Sequence, residues 1–436
     1  MVSYLFPPMG GGGVIRVVKF TKYLSDFGWR PVVLTSKRGE GDYLDISLLK
    51  EIEDKATVYR TFSFDFPLIF KKIFWGKAKG VKLKKTGNGD GKGRIQRVKA
   101  FIENYFFIPD SRLGWIPFAV FRGIQIVRKE KIQCIFSTGG PWTNFIIALL
   151  IKIFTKRPLV VDFRDFWTHD PVNQSRPKIR RKIDTYLERI VILSSDIVIS
   201  VTNTISESLI GKYIPPSVEK FRVLPNGYDP EDFVGKERFK SEFFRIVYTG
   251  SLNKYRTPVH FFEALKEAFA MHPEMRHKVR VSFLGDYGIE YQKILDEYGL
   301  KENVVFVGSL SHETAIEELF RSDLLLLLSY TGSYVMENAR IHLTGKVFEY
   351  MITGIPILAL TEEGILADAI EKTRSGYVVQ PTDICRISEK IHWLYLQWEN
   401  RNLSITPDWE LIKTFDREKI TGDLAQILED LALQWE

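Results

Sequence analysis

A chain of 436 residues with 45% hydrophobic and 26% charged residues is a globular protein, not a disordered one, and it is long enough for two ordinary domains. Its cysteines, Cys134 and Cys385, stand far apart with no CxxC or Cys/His cluster beside either. They suggest neither a disulfide framework nor a structural zinc site, and a reducing, cytoplasmic setting fits them. The net charge of +7 is concentrated in Lys71 to Lys99, which holds eleven Lys/Arg against the single Asp90, a net of +10, so the remaining chain sums to −3.

The chain opens "MVSYLFPPMGGGGVIRVVKF", with Val2 to Phe6 as a strand candidate followed by the glycine run Gly10 to Gly13. Prolines and glycines interrupt the apolar start at once, so no secretory signal is expected there. Val14, Val17, Val18, Thr21 and Leu24 fall on one helical face, Gly28 stands where a C-cap glycine would, and Pro31 to Thr35 is the next strand candidate. This is a β-α-β unit with glycines at its strand-to-helix turn. The region from Asp42 to Ile108 is less regular, and its "TGNGDGKG" is expected to be a mobile loop. Strand candidates then follow at Cys134 to Ser137, Leu159 to Phe163 and Ile197 to Val201. The longest apolar runs, "FIIALLI" and "LLLLL", fall far short of the roughly 20 residues that span a bilayer, which predicts a soluble or peripheral protein.

The turn formers Pro225 and Asn226-Gly227 mark a boundary near "RVLPNGYDP". Beyond it "RIVYTGSL", "RVSFLGDYG", "NVVFVGSL", "DLLLLLSY" and "GIPILALT" are buried-strand candidates, and "DREKITGDLAQILEDLALQ" has the spacing of a closing helix. Both halves alternate strands with helices, the pattern of a parallel sheet covered by helices, whose ligands bind at the carboxyl ends of the strands.

Small residues between a strand and a helix leave backbone N–H groups open to an anion such as a phosphate. The dinucleotide fingerprint G-x-G-x-x-G is poorly met, because Gly13 is followed by Val14, Ile15 and Arg16 and the second strand ends without the ribose-binding acid. A plain tight turn reads the same glycines without a ligand. In "YTGSLNKYRTPVHFFEAL" a strand ends at Thr249-Gly250 and a helix starts near Pro258, which places Lys254 and Arg256 at the mouth of the sheet. In "HLTGKVFEYMITGIPILAL" Thr344 and Gly345 precede a helix that carries Lys346, Glu349 and Tyr350 and ends at Gly354. Basic residues beside a helix start offer a second anion site, and a carboxylate one turn inside can accept hydrogen bonds from sugar hydroxyls. Ordinary solvated charge is the commoner fate of such basic residues.

The order "PPMGGGGVIR … DFRDFW … LPNGYD … YTGSL … FLGDYG … VVFVGSLSHE … LTGKVFEYMITGIPI … GYVV … FDREKI" resembles the retaining glycosyltransferases of glycosyltransferase family four. The resemblance covers almost the whole chain, and "TGKVFEYMITGIPIL" is its most specific part. It implies an α/β protein of the GT-B fold, with two Rossmann-like domains facing across a cleft: an acceptor-side domain at 1–224, a nucleotide-sugar domain at 225–410, and a C-terminal helix at 411–436 crossing back to the first. By position, Gly250 matches the family's phosphate-loop glycine, Arg256 stands where its diphosphate-binding lysine does, and Glu349 matches the second, ribose-binding glutamate of its E-x7-E motif. The first acid of that motif is replaced by Ile341, with Glu337, Asn338 and His342 as nearby substitutes, and Ser251 replaces the usual arginine after the glycine. Lys254, Arg256 and Lys346 are left to hold the diphosphate. Phe306 to Leu310, with Gly308 and Ser309, corresponds to the segment that lines the base. Gly11, Gly12 and Gly13, with Arg16 just inside the helix, match the loop facing donor phosphate and acceptor, while Gly139, Arg164, Asp165 and His169 border the acceptor. A buried Asp–Arg pair holding the domain together is the alternative for Asp162, Arg164 and Asp165.

The mechanism implied is metal-independent. No D-x-D occurs in the chain, so Lys/Arg and backbone amides would take up the charge of the departing nucleoside diphosphate, with no cofactor beyond the UDP- or GDP-type sugar donor. The acceptor implied is a glycan or lipid-linked sugar in surface polysaccharide assembly, attacked by the family's front-face route. The basic segment 71–99, with Phe70, Ile73, Phe74 and Trp75, then reads as contact with an anionic membrane at the inner face; a solvated loop is the alternative, and nucleic acid is disfavoured because no RNA or DNA motif accompanies it. Two other functions stay open, an NAD-dependent oxidoreductase and a degenerate scaffold subunit at the membrane.

Overall fold

The computed structural model describes residues 1–37, 44–64, 101–102, 104–169, 171–239, 241–253, 255–288, 290–330 and 343–435. The basic segment 71–99, its flanking Phe70, Lys254, and the stretch holding Glu337, Asn338, Ile341 and His342 lie outside these residues. The chain divides into two compact units, Met1–Pro225 with Thr421–Glu436, and Asn226–Ile420.

In the first unit α1 (Gly12–Leu24) follows the glycine run, and Val14, Val17, Val18, Thr21 and Leu24 are buried on it as their spacing predicts. Strands β1 (Val32–Ser36), β2 (Thr57–Thr61), β3 (Ile135–Thr138), β4 (Leu159–Phe163), β5 (Ile197–Ser200) and β6 (Phe221–Val223) alternate with helices α2 (Ser47–Lys50), α3 (Ile116–Lys129), α4 (Thr143–Thr155), α5 (Pro171–Gln174), α6 (Lys178–Ser194) and α7 (Asn203–Tyr213). The sheet pairs β1 with β2 and runs β3-β4-β5-β6, all parallel. The expected first strand is reduced to a single residue: Val2 bridges both Leu34 of β1 and Ser137 of β3 and so joins the two ribbons. Its pairing stops there because the Tyr4 N–H is taken by Asn144 Oδ1 at 3.1 Å and the Ser3 hydroxyl turns onto the Leu5 carbonyl at 2.8 Å. Strand β2 lies inside the stretch expected to be irregular; its exposed Arg60 and half-buried Thr57 to Tyr59 give it too little apolar patterning to stand out.

The second unit holds β7 (Phe244–Thr249), α8 (Val259–Met271), α9 (Met275–Lys278), β8 (Val279–Leu284), α10 (Glu290–Tyr298), β9 (Val304–Gly308), α11 (His312–Phe320), β10 (Leu324–Leu328), α12 (Lys346–Ile352), β11 (Ile357–Leu360), α13 (Ile365–Lys372), β12 (Gly376–Val379), α14 (Ile384–Glu399) and α15 (Trp409–Ile412). Its parallel sheet has the order β12-β11-β10-β7-β8-β9, and the all-leucine β10 is buried along its whole length, as a central strand covered on both faces must be. One face is packed by α8 and α14 and the other by α12 and α13, which gives two separate apolar clusters around one sheet. The closing helix α16 (Arg417–Leu433) spans the division between the units, with Ile420, Leu424, Leu428 and Leu431 buried.

Candidate active site

Three neighbouring strands of the second unit end in glycines with positive φ: Gly250 after β7 (116°), Gly285 after β8 (138°) and Gly308 closing β9 (91°). They are stitched side by side, the Gly250 N–H to Leu284 O at 2.6 Å and the Gly285 N–H to Gly308 O at 2.8 Å. Both features require glycine, since a Cβ at Gly285 would run into the Gly250 backbone and one at Gly250 would overlap the Lys346 side chain. The strand ends thus form a bare backbone shelf, and Lys346 lies across it.

Arg256 reaches the same corner from the loop after β7. Asn253 shapes that loop by accepting from the N–H groups of Tyr255 and Arg256 through its Oδ1, each at 2.9 Å. The Arg256 guanidinium lies 4.5 Å from the Tyr330 ring centre, and its Nε is buried without a hydrogen-bond partner among the described residues. Lys346 Nζ lies 4.9 Å from the Tyr248 ring centre. Burial first, then the neighbouring Arg256 charge, push the Lys346 ammonium down to about 7, with Glu349 pulling the other way. Burial likewise lifts the Tyr248 phenol to about 12 against the pull of Arg256. Two cations crowded against a glycine shelf, with a half-buried Glu349 as their nearest carboxylate influence, make a corner that an anion would stabilise.

The rest of the expected donor set surrounds this corner. Thr344 and Gly345 lead into α12, and the Thr249 N–H donates to the buried Tyr350 hydroxyl at 2.8 Å, which locks the end of β7 to α12. Ser251 is exposed, and Ser309 donates to Asp286 at 2.9 Å. Phe306 is buried beneath Tyr287, whose ring stacks on it at 4.4 Å and is 37% exposed, so Tyr287 is the aromatic face open beside the expected base segment. Sequence reasoning missed Tyr287, Tyr248 and Tyr330, and the signal was present in each case: a tyrosine within three residues of a strand's carboxyl end, in "YTG", "FLGDYG" and "LLSY".

In the first unit the glycine run starts α1, with Gly11 as its N-cap at φ 97° and Gly12 open on all sides. Arg164 binds this turn to the end of β3: its Nε donates to Gly139 O at 2.7 Å, and its terminal nitrogens donate to the Gly13 and Gly140 carbonyls. Asp165 and His169 are exposed, and His169 Nδ1 approaches the Ser208 hydroxyl at 3.4 Å. Arg16, expected beside the phosphate loop, turns inward instead. It is 3% exposed, forks onto Asp162 with bonds of 3.0 and 2.9 Å, and donates to the Leu224 and Pro225 carbonyls at 2.9 and 2.8 Å. Its spacing on α1 puts it on the buried face, where only a carboxylate and carbonyls can compensate its charge. The buried Asp–Arg pair foreseen for "DFRDFW" therefore exists, but its arginine is Arg16 and not Arg164.

Residues 229–405 match the family Glycosyl transferases group 1, and residues 86–232 match Glycosyltransferase Family 4. A capsular polysaccharide biosynthesis glycosyltransferase of Staphylococcus aureus, CapH, is 22% identical over 44% of this chain, and the match spans about half (52%) of that protein's length. Among solved structures, the Anabaena protein HepE in complex with UDP-glucose is similar over 98% of both chains at 15% identity and a TM-score of 0.62. A sucrose-phosphate synthase from Thermosynechococcus elongatus is similar over 100% of this chain and 96% of its own, at 16% identity and a TM-score of 0.57. No helix among the described residues is long and apolar enough to cross a membrane. With glycosyltransferase families matched in both halves, the oxidoreductase alternative falls away, and the chain belongs to the family-four type of glycosyltransferases, enzymes of the GT-B fold.

Proposed function

We propose that the protein transfers a sugar, with retention and without a catalytic metal, from a UDP- or GDP-type nucleotide sugar to a glycan or lipid-linked acceptor in surface polysaccharide biosynthesis. The observation that carries the donor half is the pairing of Lys346 and Arg256 over the bare backbone at Gly250. Similarity to HepE, solved with UDP-glucose, and to CapH, named for capsular polysaccharide biosynthesis, supports the donor class and the setting.

The chemistry follows from charge. A sugar–phosphate bond that breaks leaves its electron pair on the diphosphate, so groups that gain most as that charge grows lower the barrier. Lys346 is destabilised as a cation first by burial and then by Arg256; a diphosphate between them would offset that penalty, and more so as its charge increases. Glu349, one turn into α12, and Tyr287 at the shelf's edge are assigned to the ribose and the base. Asp165, Arg164, His169 and the Gly11 to Gly13 turn, all in the first unit, are assigned to the acceptor. Lys254 joins the diphosphate set by position alone. Nucleotide release measured with UDP-, GDP-, ADP- and TDP-sugars tests the reading. Release from one of the first two, lost in Arg256→Ala, is the expected result, while no release from any donor overturns it.

A membrane-facing acceptor is favoured by a specific surface feature. Phe62, Phe64, Phe118 and Phe121 are 50%, 44%, 38% and 67% exposed, and the Phe62 ring lies 5.4 Å from Phe64 and 5.1 Å from Phe118. Clustered exposed aromatics of this kind mark an interaction surface, and in the sequence they flank the +10 segment 71–99. Co-sedimentation with anionic vesicles but not with zwitterionic ones is expected, and equal binding to both would remove the electrostatic part of the proposal.

A further inference from the structure

The end of the second unit away from the glycine shelf carries a cluster that the transfer reaction does not use. Helix α8 starts next to the Arg256 loop, with Pro258 as its N-cap, and its 13 residues lead away for about 20 Å at 1.5 Å per residue. His272 caps its far end, donating its N–H to Ala268 O at 2.8 Å, and Glu274 follows two residues later. Helix α14 packs along α8 and presents His392 at the same place. The two imidazoles stack with ring centres 3.3 Å apart and planes 15° from parallel, and His272 Nδ1 lies 3.8 Å from Glu274 Oε1. Among the described residues this is the one group of three His, Cys, Asp or Glu side chains that can hold a metal ion, its donor atoms all within 4.8 Å of one another.

We propose that His272, Glu274 and His392 form a zinc-type metal site that clasps the end of α8 to α14, apart from the donor corner. Two imidazole nitrogens and one carboxylate oxygen suit zinc and its late first-row neighbours far better than magnesium or calcium, which select all-oxygen sets. A tetrahedral ion with bonds of about 2.0–2.2 Å needs its donors about 3.3 Å apart. With donors as far as 4.8 Å apart, the cluster must close by up to about 1.5 Å, and the two imidazoles must turn out of their stack so that their nitrogen lone pairs converge, a change that rotation of both rings and of the 58% exposed Glu274 supplies. Three protein donors leave a fourth position for water. The role is a fastening one: holding the α8–α14 pair fixes the helix whose other end carries the Arg256 loop.

The full-length protein, stripped with a chelator and dialysed, is titrated calorimetrically with zinc chloride, and its melting temperature is followed with and without zinc. One zinc ion per chain and a zinc-dependent rise in melting temperature are expected. Glu274→Gln, a change at an exposed position, and His392→Ala should each weaken zinc binding at least tenfold while leaving zinc-free nucleotide release unchanged. Zinc uptake by either variant equal to that of the parent chain, or no uptake by the parent, overturns the proposal. Because nucleotide release is read separately, failure here leaves the transferase reading untouched.

Discussion

Two corners of this protein set arginine or lysine against a glycine turn at the carboxyl ends of parallel strands, and they use the charge in opposite ways. In the first unit every cation at the turn is compensated from within: Arg16 by Asp162 and two carbonyls, Arg164 by the carbonyls of Gly13, Gly139 and Gly140. In the second, Lys346 and Arg256 push on each other, the Lys346 ammonium falls to about 7, and the Arg256 Nε is buried with no partner among the described residues. A compensated cation holds a fold together, whereas an uncompensated pair stores an affinity for an anion. Substitutions should therefore separate the corners by what they damage, stability in one and nucleotide chemistry in the other.

The largest effect is expected where compensation is complete. Asp162→Ala takes the carboxylate fork away from the 3% exposed Arg16 and removes the acceptor of Thr138, which should cost about 3–5 kcal/mol and lower the melting temperature sharply. Arg256→Ala should do the reverse. Nucleotide release should fall at least tenfold, a loss of about 1.4 kcal/mol of leaving-group stabilisation, with the melting temperature held or raised. A stable, fully active Asp162→Ala protein, or an Arg256→Ala protein that loses stability but not activity, would break the contrast.

Lys346 sharpens it through pH. Its folded-state pKa of about 7 lies below the ordinary lysine value of 10.5, so between these values the unfolded chain binds the extra proton and stability rises with pH; below about 7 the folded protein carries the full penalty of the charge. Lys346→Gln removes that penalty, and at pH 6 the variant should be more stable than the parent by roughly 0.5–2 kcal/mol while binding nucleotide more weakly. Nucleoside diphosphate affinity of the parent should fall by up to tenfold per pH unit above about 7, because the anion needs the ammonium form, and this slope should flatten in Lys346→Gln. A steep slope that persists in the variant assigns it to another group.

What could be read from the sequence divides along the same physical line. The strands of the second unit were legible because they are continuous apolar runs closed by small residues, and all five candidates there are strands in the sheet. Val2 to Phe6 misled because side-chain bonds from Ser3 and Asn144 take over the backbone after one bridge, and no apolar pattern reports that. Arg16 was placed in the loop by its position beside the glycines, whereas its burial depends on a carboxylate 146 residues away. The His272–Glu274–His392 cluster escaped for the same reason, since 120 positions separate its two histidines and no ligand spacing links them. Local pattern gives elements and turns; which charges are compensated depends on contacts that only the fold brings together.

The smallest expected effect tests whether the first corner has any role beyond holding its own fold. Gly12 has an ordinary φ, and a Cβ added there meets nothing within 4 Å, so Gly12→Ala should leave the stability within about 0.5 kcal/mol of the parent. Its neighbours cannot serve for this test. Gly11 sits at φ 97°, which an alanine resists, and a Cβ on Gly13 would press on Leu5 at 2.9 Å, so either change would mix strain with function. If the glycine run exists to let a phosphate or acceptor approach bare backbone, one methyl group at Gly12 should slow transfer several-fold with stability intact. If the run is only a tight turn closed by Arg164, the same methyl group will cost nothing in either measurement, and the acceptor assignments made around Gly11 to Gly13 lose their support.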